Sequence, residues 1–253
     1  MTISKKIWDK YIADLRKVSN EAAEKFRAFL AAHPAVDRNS TNALIELAYA
    51  LATKYGEAAG ELAAQMYDTV AAASGLSLEP AVLAETATID EAAKAVVGTL
   101  KTGNPDIVAD AVGRMVKMAG VDTTMQNAVR DGAEWAWIPR GDTCAFCIAL
   151  ASQGWQTASR AQMKGNHAEH IHANCDCTFA IRFDSDSGVA GYDPRRYREM
   201  YDDAEGSSSR AKINAMRREI YERNAEEINA QKRDNYEKRQ ERESSAAEEA
   251  DIS

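Results

Sequence analysis

The 253-residue sequence has no uninterrupted apolar run of the roughly 20 residues that a membrane-spanning helix needs. Its first residues, MTISKKIWDKYIADLRK, are charged throughout and lack the apolar centre of a secretory signal peptide. Basic residues are fewer than acidic ones, with 31 Lys and Arg against 39 Asp and Glu. The net charge of −8 predicts no general affinity for nucleic acid. We therefore expect a soluble protein made in the cytoplasm.

Cysteine and histidine are scarce, with four of each, but seven of these eight residues lie within one short stretch. The pattern is a C-x2-C pair, a 27-residue interval and a C-x-C pair, with three histidines just upstream of the second pair. In chain order the seven residues are Cys144, Cys147, His167, His170, His172, Cys175 and Cys177. Two short cysteine pairs at this separation predict a structural site for one Zn²⁺ ion.

Five candidate ligands compete for the four places of a tetrahedral zinc site. Cys144 and Cys147 are the expected first pair, and the other two ligands come from His172, Cys175 and Cys177. Two disulfides or four buried thiols are the alternatives. Clustered cysteines in a chain made in the cytosol favour the metal.

The two remaining histidines of the stretch, His167 and His170, are expected at the surface or beside the zinc ligands. Direct binding of the metal by either one is the alternative.

Residues 1–131 have helical patterning and are rich in alanine, a strong helix former. Apolar residues recur every three or four positions over residues 4–32, and again from Thr41 to near Gly75. Gly56 and Gly60 lie inside the second helix, where they either allow a neighbouring helix to approach closely or weaken its middle.

Further helices are expected between residues 88 and 131. Thr88-Ile-Asp-Glu91 is a capping box, which predicts a helix running to about Lys101. Pro105 suits the first turn of a helix that we expect to end at Gly120, before a shorter helix from Thr123 to Asp131.

Residues 132–184 change pattern and predict a small α+β module. Residues 133–139 and 178–183 alternate with the period of a strand, and the residues from Cys144 to Gln153 predict a short helix closed by Gly154. The core of such a module is too small to be stable alone. A bound zinc ion would compensate, since it contributes about 10–16 kcal/mol in finger peptides.

The remainder of the chain divides into a linker with a short helix (185–206) and a charged helix with a disordered tail (207–253). The apolar stripe of the charged helix is thin, so an oligomerisation or docking arm and a frayed tail are both open. The predicted fold class is mainly α, with a helical N-terminal region, a small α+β zinc-knuckle module and a charged C-terminal helix.

The run TCAFCIALASQGW, followed by HANCDCTFAI and GYDPRRYREMYDDA, resembles the minor capsid proteins of tailed bacteriophages. The similar family is that of the phage Mu F-like head-morphogenesis proteins, in the form found in actinobacterial phages and prophages. The resemblance covers residues 130 to 205, and the N-terminal half is similar only in being helical and placed first. The matching residues are Trp135, Trp137, Asp142, Cys144, Cys147, Gly154, His172, Cys175 and Cys177.

The resemblance implies a structural role and no enzymatic activity. Members are present in few copies per head, associate with the portal vertex, and take part in head assembly and in DNA packaging or ejection. The implied partners are the portal protein and the major capsid or scaffold protein, with contact to packaged DNA, and neither a membrane nor a small-molecule substrate. The implied location is the interior of the virion head.

Two other functions compete with this one. A zinc knuckle beside a histidine run also occurs in HNH-type endonucleases, where His167, His170 and His172 would hold a catalytic metal or activate water. Residues 192–204 lack the histidine expected for such a second-metal helix, and the acidic charge disfavours duplex binding. The third function is a zinc-stabilised adaptor unconnected with phage.

Overall fold

A computed structural model of the chain describes residues 2–33, 41–100, 105–140, 143–161 and 177–227, with a few further positions up to 240. These residues form a mainly helical fold with two small sheets. In chain order its elements are β1 (Thr2–Ile3), α1 (Lys5–Ala32), α2 (Thr41–Ala73), α3 (Ile89–Leu100), α4 (Pro105–Asp131), β2 (Glu134–Ile138), α5 (Ala145–Ala151), β3 (Gln156–Thr157), β4 (Thr178–Arg182), β5 (Gly188–Val189), α6 (Pro194–Asp203) and α7 (Ser209–Arg223).

Helix α1 has the extent that its apolar stripe predicts. The Ser4 hydroxyl accepts a hydrogen bond from the Ile7 amide at 3.4 Å and so caps the first turn. The stripe that includes Trp8, Leu15 and Phe26 is buried against the rest of the body. The prediction of this helix is confirmed.

Small residues allow α2 and α4 to pack closely. A Cβ atom at Gly56 would lie 3.3 Å from Cβ of Ala119, and one at Gly120 would lie 3.2 Å from the carbonyl oxygen of Ala59. The interpretation of Gly56 as a close-approach residue is therefore confirmed.

Helix α4 runs without interruption through Gly120 to Asp131. The predicted end at Gly120 and the separate helix from Thr123 were wrong. Glycine inside a helix costs only about 1 kcal/mol relative to alanine. At Gly120 the close contact with α2 outweighs that cost, because any larger residue would separate the two helices.

The segment between α2 and α3, residues 76–88, crosses the bundle in an irregular course. Backbone groups of this segment are fixed by side chains of α2 and α4 rather than by a sheet. The bonds run from the amides of Ala81, Val82 and Ala84 to Asp68 Oδ1 (2.9 Å), Asn127 Oδ1 (3.0 Å) and Thr123 Oγ1 (3.0 Å). Arg130 adds bonds to the carbonyl oxygens of Glu79 and Pro80.

The larger sheet has the order β3-β2-β4 and is antiparallel. Its register places Trp135 opposite Ile181 and Trp137 opposite Phe179. Both strands were predicted, but four of the five residues of each are buried, so both faces of the sheet are covered. Residues of this sheet and of α1, α2 and α4 belong to one continuous apolar core.

A second, parallel pairing joins β1 to β5, with Ile3 opposite Val189. Strand β5 lies within residues 185–206, which the sequence predicted as a linker with a short helix. Both Ile3 and Val189 are buried, so this pairing attaches the start of the chain to the region that follows β4.

The charged helix predicted from residue 207 onward begins as α7, which packs against α5 and α6. Met216 is buried against Ile148 and Ala204, and Ile213 and Ile220 lie beside them. The thin apolar stripe is therefore used within the chain itself over residues 209–223. The sequence predicted either a docking arm or a frayed tail for this helix, but residues 209–223 pack against the rest of the same chain.

Candidate metal centre

The first cysteine pair is built into the start of α5. Cys144 is the N-cap residue, and its Sγ accepts a hydrogen bond from the Cys147 amide at 3.5 Å. Cys147 lies one turn further on and is only 1% exposed, whereas Cys144 is partly exposed. This hydrogen bond fixes the position of the Cys144 side chain at the start of α5.

The second pair enters the structure through Cys177, which directly precedes β4 and is 6% exposed. Because Ile138 pairs with Thr178, Cys177 lies next to the end of β2 from which the chain leads to Cys144. Cys147 and Cys177 both belong to the main core, and Cys144 packs against it. The sheet register thus brings the two cysteine-bearing segments to the same end of the sheet.

The other predicted ligands, His172 and Cys175, lie in residues 162–176, outside the described part of the chain, as do His167 and His170. Within the described ranges, no group of three or more His, Cys, Asp or Glu is arranged to hold a metal ion. A complete site would therefore need donors from residues 162–176, and the zinc ligand set stays a prediction.

Helix α6 packs against α5, the helix that begins after Cys144. Asp193 caps this helix by accepting a hydrogen bond from the Arg195 amide at 3.0 Å. Burial raises the pKa of the Tyr197 hydroxyl; the charge of Arg196 opposes this shift and the Cys177 thiol adds to it. Tyr197 packs against both apolar clusters of the protein and so links α6 to the surroundings of Cys177.

Trp137 also lies in this region and has a buried polar atom, Nε1, that the sequence pattern did not indicate. Its side chain is 2% exposed, its ring lies 4.8 Å from that of Phe179, and its Nε1 has no hydrogen-bond partner among the described residues. The strand period of residues 133–139 predicted burial of an aromatic residue here. The strand period does not indicate whether the indole N–H has a hydrogen-bond partner.

The fold and the candidate site define a mainly helical protein with a small antiparallel sheet and two cysteine-bearing segments at one end of that sheet. A comparison with family models found a match to the family described as VG15 protein, over residues 2–204. Because the match covers most of the chain, this protein belongs to the VG15 family, a family of viral proteins.

Comparisons with curated proteins and with solved structures gave no significant match. The VG15 match includes the helical N-terminal region, which the resemblance to phage minor capsid proteins did not cover. A phage origin is consistent with the viral family, whereas the Mu F-like minor capsid assignment stays a prediction. Among the described residues, no helix has the length and apolar character that crossing a membrane requires.

Proposed function

We propose that this protein is a structural component of a phage head, a minor capsid protein that acts in head assembly at the portal vertex and in DNA packaging or ejection. The observation that carries the proposal is the VG15 match over residues 2–204, which contains the whole Cys144–Cys177 stretch. The chain belongs to a viral family, and the spacing of its cysteines resembles that of phage minor capsid proteins. Both observations support a role in the phage head.

The proposal includes one structural zinc ion. Cys144 and Cys147 would hold it together with two of His172, Cys175 and Cys177. When bound, zinc would supply a cross-link between the start of α5 and the start of β4. Two observations support this assignment: the Cys147 amide donates a hydrogen bond to Cys144 Sγ, and Cys177 lies beside the end of β2.

The proposed partners are the portal protein and the major capsid or scaffold protein, with contact to packaged DNA. The protein is made in the host cytoplasm and would then enter the interior of the head. Its acidic charge of −8 supports protein partners as the main contacts rather than tight duplex binding.

The test is the protein content of heads purified by density gradient from infected or induced cells. We expect the chain in those heads at a few copies per portal, and we expect it to co-purify with the portal protein from a lysate. Heads that lack the chain would contradict the proposal. So would plasmid cleavage by the purified protein in Mg²⁺ or Mn²⁺ that disappears in the His170→Ala variant.

A further inference from the structure

Many of the exposed apolar side chains lie between residues 49 and 97. Eleven large apolar side chains are exposed among the described residues, and six of them come from α2, α3 and the segment between these helices. Single exposed apolar residues are normal on a protein surface, but a group of them indicates an interaction site. These six are Tyr49, Leu76, Val82, Leu83, Ile89 and Val97.

Part of this group lines an open groove of about 680 Å³ between α2 and residues 83–89. Its apolar residues include Tyr49, Leu83 and Ile89, which are 38%, 39% and 50% exposed. Gly60 contributes to its wall, and a Cβ atom there would lie 3.6 Å from Cδ2 of Leu83. The groove therefore has an apolar wall whose side chains are exposed to solvent.

One wall of the groove also carries an open backbone edge. The amide and the carbonyl oxygen of Val82 both bond to Asn127, at 3.0 and 2.8 Å, and the amide of Ala84 bonds to Thr123. The amides of Leu83 and Glu85 have no hydrogen-bond partner among the described residues.

The charge of the groove has one sign. Glu57 and Glu85 line it, no lysine or arginine does, and neither carboxylate forms an ion pair within the described part of the chain. Residues 41–98 as a whole carry eight carboxylates and only two lysines. An occupant would therefore need positive charge as well as apolar side chains.

We propose that this groove binds an extended segment of a partner protein in which apolar residues alternate with lysine or arginine. Its backbone would pair with the open amides of Leu83 and Glu85, its apolar side chains would contact Tyr49 and Ile89, and its cations would face Glu57 and Glu85. The proposal depends neither on the zinc site nor on location in a phage head.

The test uses fluorescein-labelled heptapeptides and the full-length protein, with binding followed by fluorescence anisotropy. The probe alternates leucine and lysine. One comparison peptide replaces lysine with glutamate, a second has N-methyl groups on alternate amides, and a third has the same composition in the helical period. We expect the leucine–lysine probe to bind at least about tenfold more tightly than each comparison peptide.

Variants of the groove locate the binding. Leu83→Asp and the double change Glu57→Lys with Glu85→Lys should each weaken binding of the probe by at least about tenfold. The matched controls are Tyr221→Asp and Glu219→Lys on α7, which should change the affinity by less than about twofold. Thermal unfolding followed by circular dichroism confirms that each variant folds.

Equal binding of the leucine–lysine and leucine–glutamate peptides would overturn the proposal. Equal binding of the N-methylated or the helical-period peptide would overturn it as well, and so would equal losses in the groove and control variants. A dimer in sedimentation that Leu83→Asp dissociates would assign the groove to a second copy of this chain and would also contradict a partner protein.

Discussion

The helical body (α1–α4) and the cysteine region (β2–β4 with α5–α7) obtain their structure in different ways. The helices of the body are long, and their starts are set by residues within one turn, such as Ser4 and the capping box at Thr88. The elements of the cysteine region are short, and Trp137 meets its partner Phe179 only after a long intervening stretch of chain. Local sequence therefore specifies the first region, and contacts distant in sequence position the second.

The two regions nevertheless share a core. Phe26 of α1 and Trp137 of β2 belong to the same apolar cluster, and β4 packs against both α2 and α4. A shared core predicts that the two regions unfold together in one transition.

Replacing a core residue of the sheet tests this most strongly. Trp137→Ala should lower the free energy of unfolding by about 3–5 kcal/mol, because it removes a fully buried side chain and leaves a cavity. Urea unfolding followed by circular dichroism at 222 nm, a signal dominated by the helices, should show the whole loss. Val82→Ala, at an exposed position, is the control and should change stability by less than about 0.5 kcal/mol. If Trp137→Ala left the unfolding transition at 222 nm unchanged, the two regions would unfold independently.

A pair of glycines compares tight and open packing within the body. Gly120→Leu should destabilise the protein by up to about 3 kcal/mol, because even a Cβ atom there lies 3.2 Å from the backbone oxygen of Ala59. A Cβ atom at Gly98 on α3 meets no atom of the described residues within 4 Å, so Gly98→Leu should stabilise by about 0.5–1 kcal/mol through helix propensity. Thermal unfolding of both variants measures the difference. Stabilisation by both variants would show that α2 and α4 are not in close contact at Gly120.

Asp122 gives the body a pH dependence of its own. Burial, followed by the nearby charge of Glu91, raises the pKa of Asp122 from 3.8 to about 6. A raised carboxyl pKa means that the folded state binds the proton more tightly, so its stabilising effect is complete below about pH 4 and is lost as the pH rises through 6.

Asp122→Asn should therefore increase stability at pH 7 by about 2 kcal/mol and flatten the dependence on pH between about 4 and 6. Melting temperatures of both proteins across that range provide the measurement. Asp90→Asn, at an exposed position of α3, is the control. Parallel pH profiles for Asp122→Asn and the unchanged protein would show that the pKa of Asp122 is not raised in the folded state.

The smallest expected effect concerns a local signal. The Thr88 hydroxyl accepts from the Glu91 amide at 3.3 Å, and Glu91 Oε2 accepts from the Thr88 amide at 2.7 Å. Thr88→Ala should cost about 1 kcal/mol, with faster amide exchange confined to the first turn of α3. Thr69→Ala inside α2 should not destabilise. Loss of protection throughout α4 would show that the cap acts beyond its own helix.

The parts of the fold that the sequence predicted are those with a local cause. The bounds of α1 and the capping box come from apolar period and turn chemistry, and the strands at Trp137 and Phe179 come from alternation. The break at Gly120 was predicted wrongly because propensity does not include the packing of α2 on α4.

Features that depend on two distant segments were missed. The pairing of Ile3 with Val189 has no local signal, and the side chains of Asn127 and Thr123 that fix residues 81–84 look like ordinary helix positions. At the candidate metal centre, the spacing of the cysteines predicted a zinc site, but no spacing rule selects four ligands from five.

The proposed zinc ion, held by Cys144, Cys147 and two of His172, Cys175 and Cys177, would join the start of α5 to the start of β4. Its most direct test is elemental analysis of the folded protein purified under reducing conditions, together with a count of thiols that react with Ellman's reagent. We expect one zinc per chain, thiols protected until a chelator is added, and less than one zinc in Cys147→Ser. A folded, metal-free protein with all four thiols reactive would contradict it.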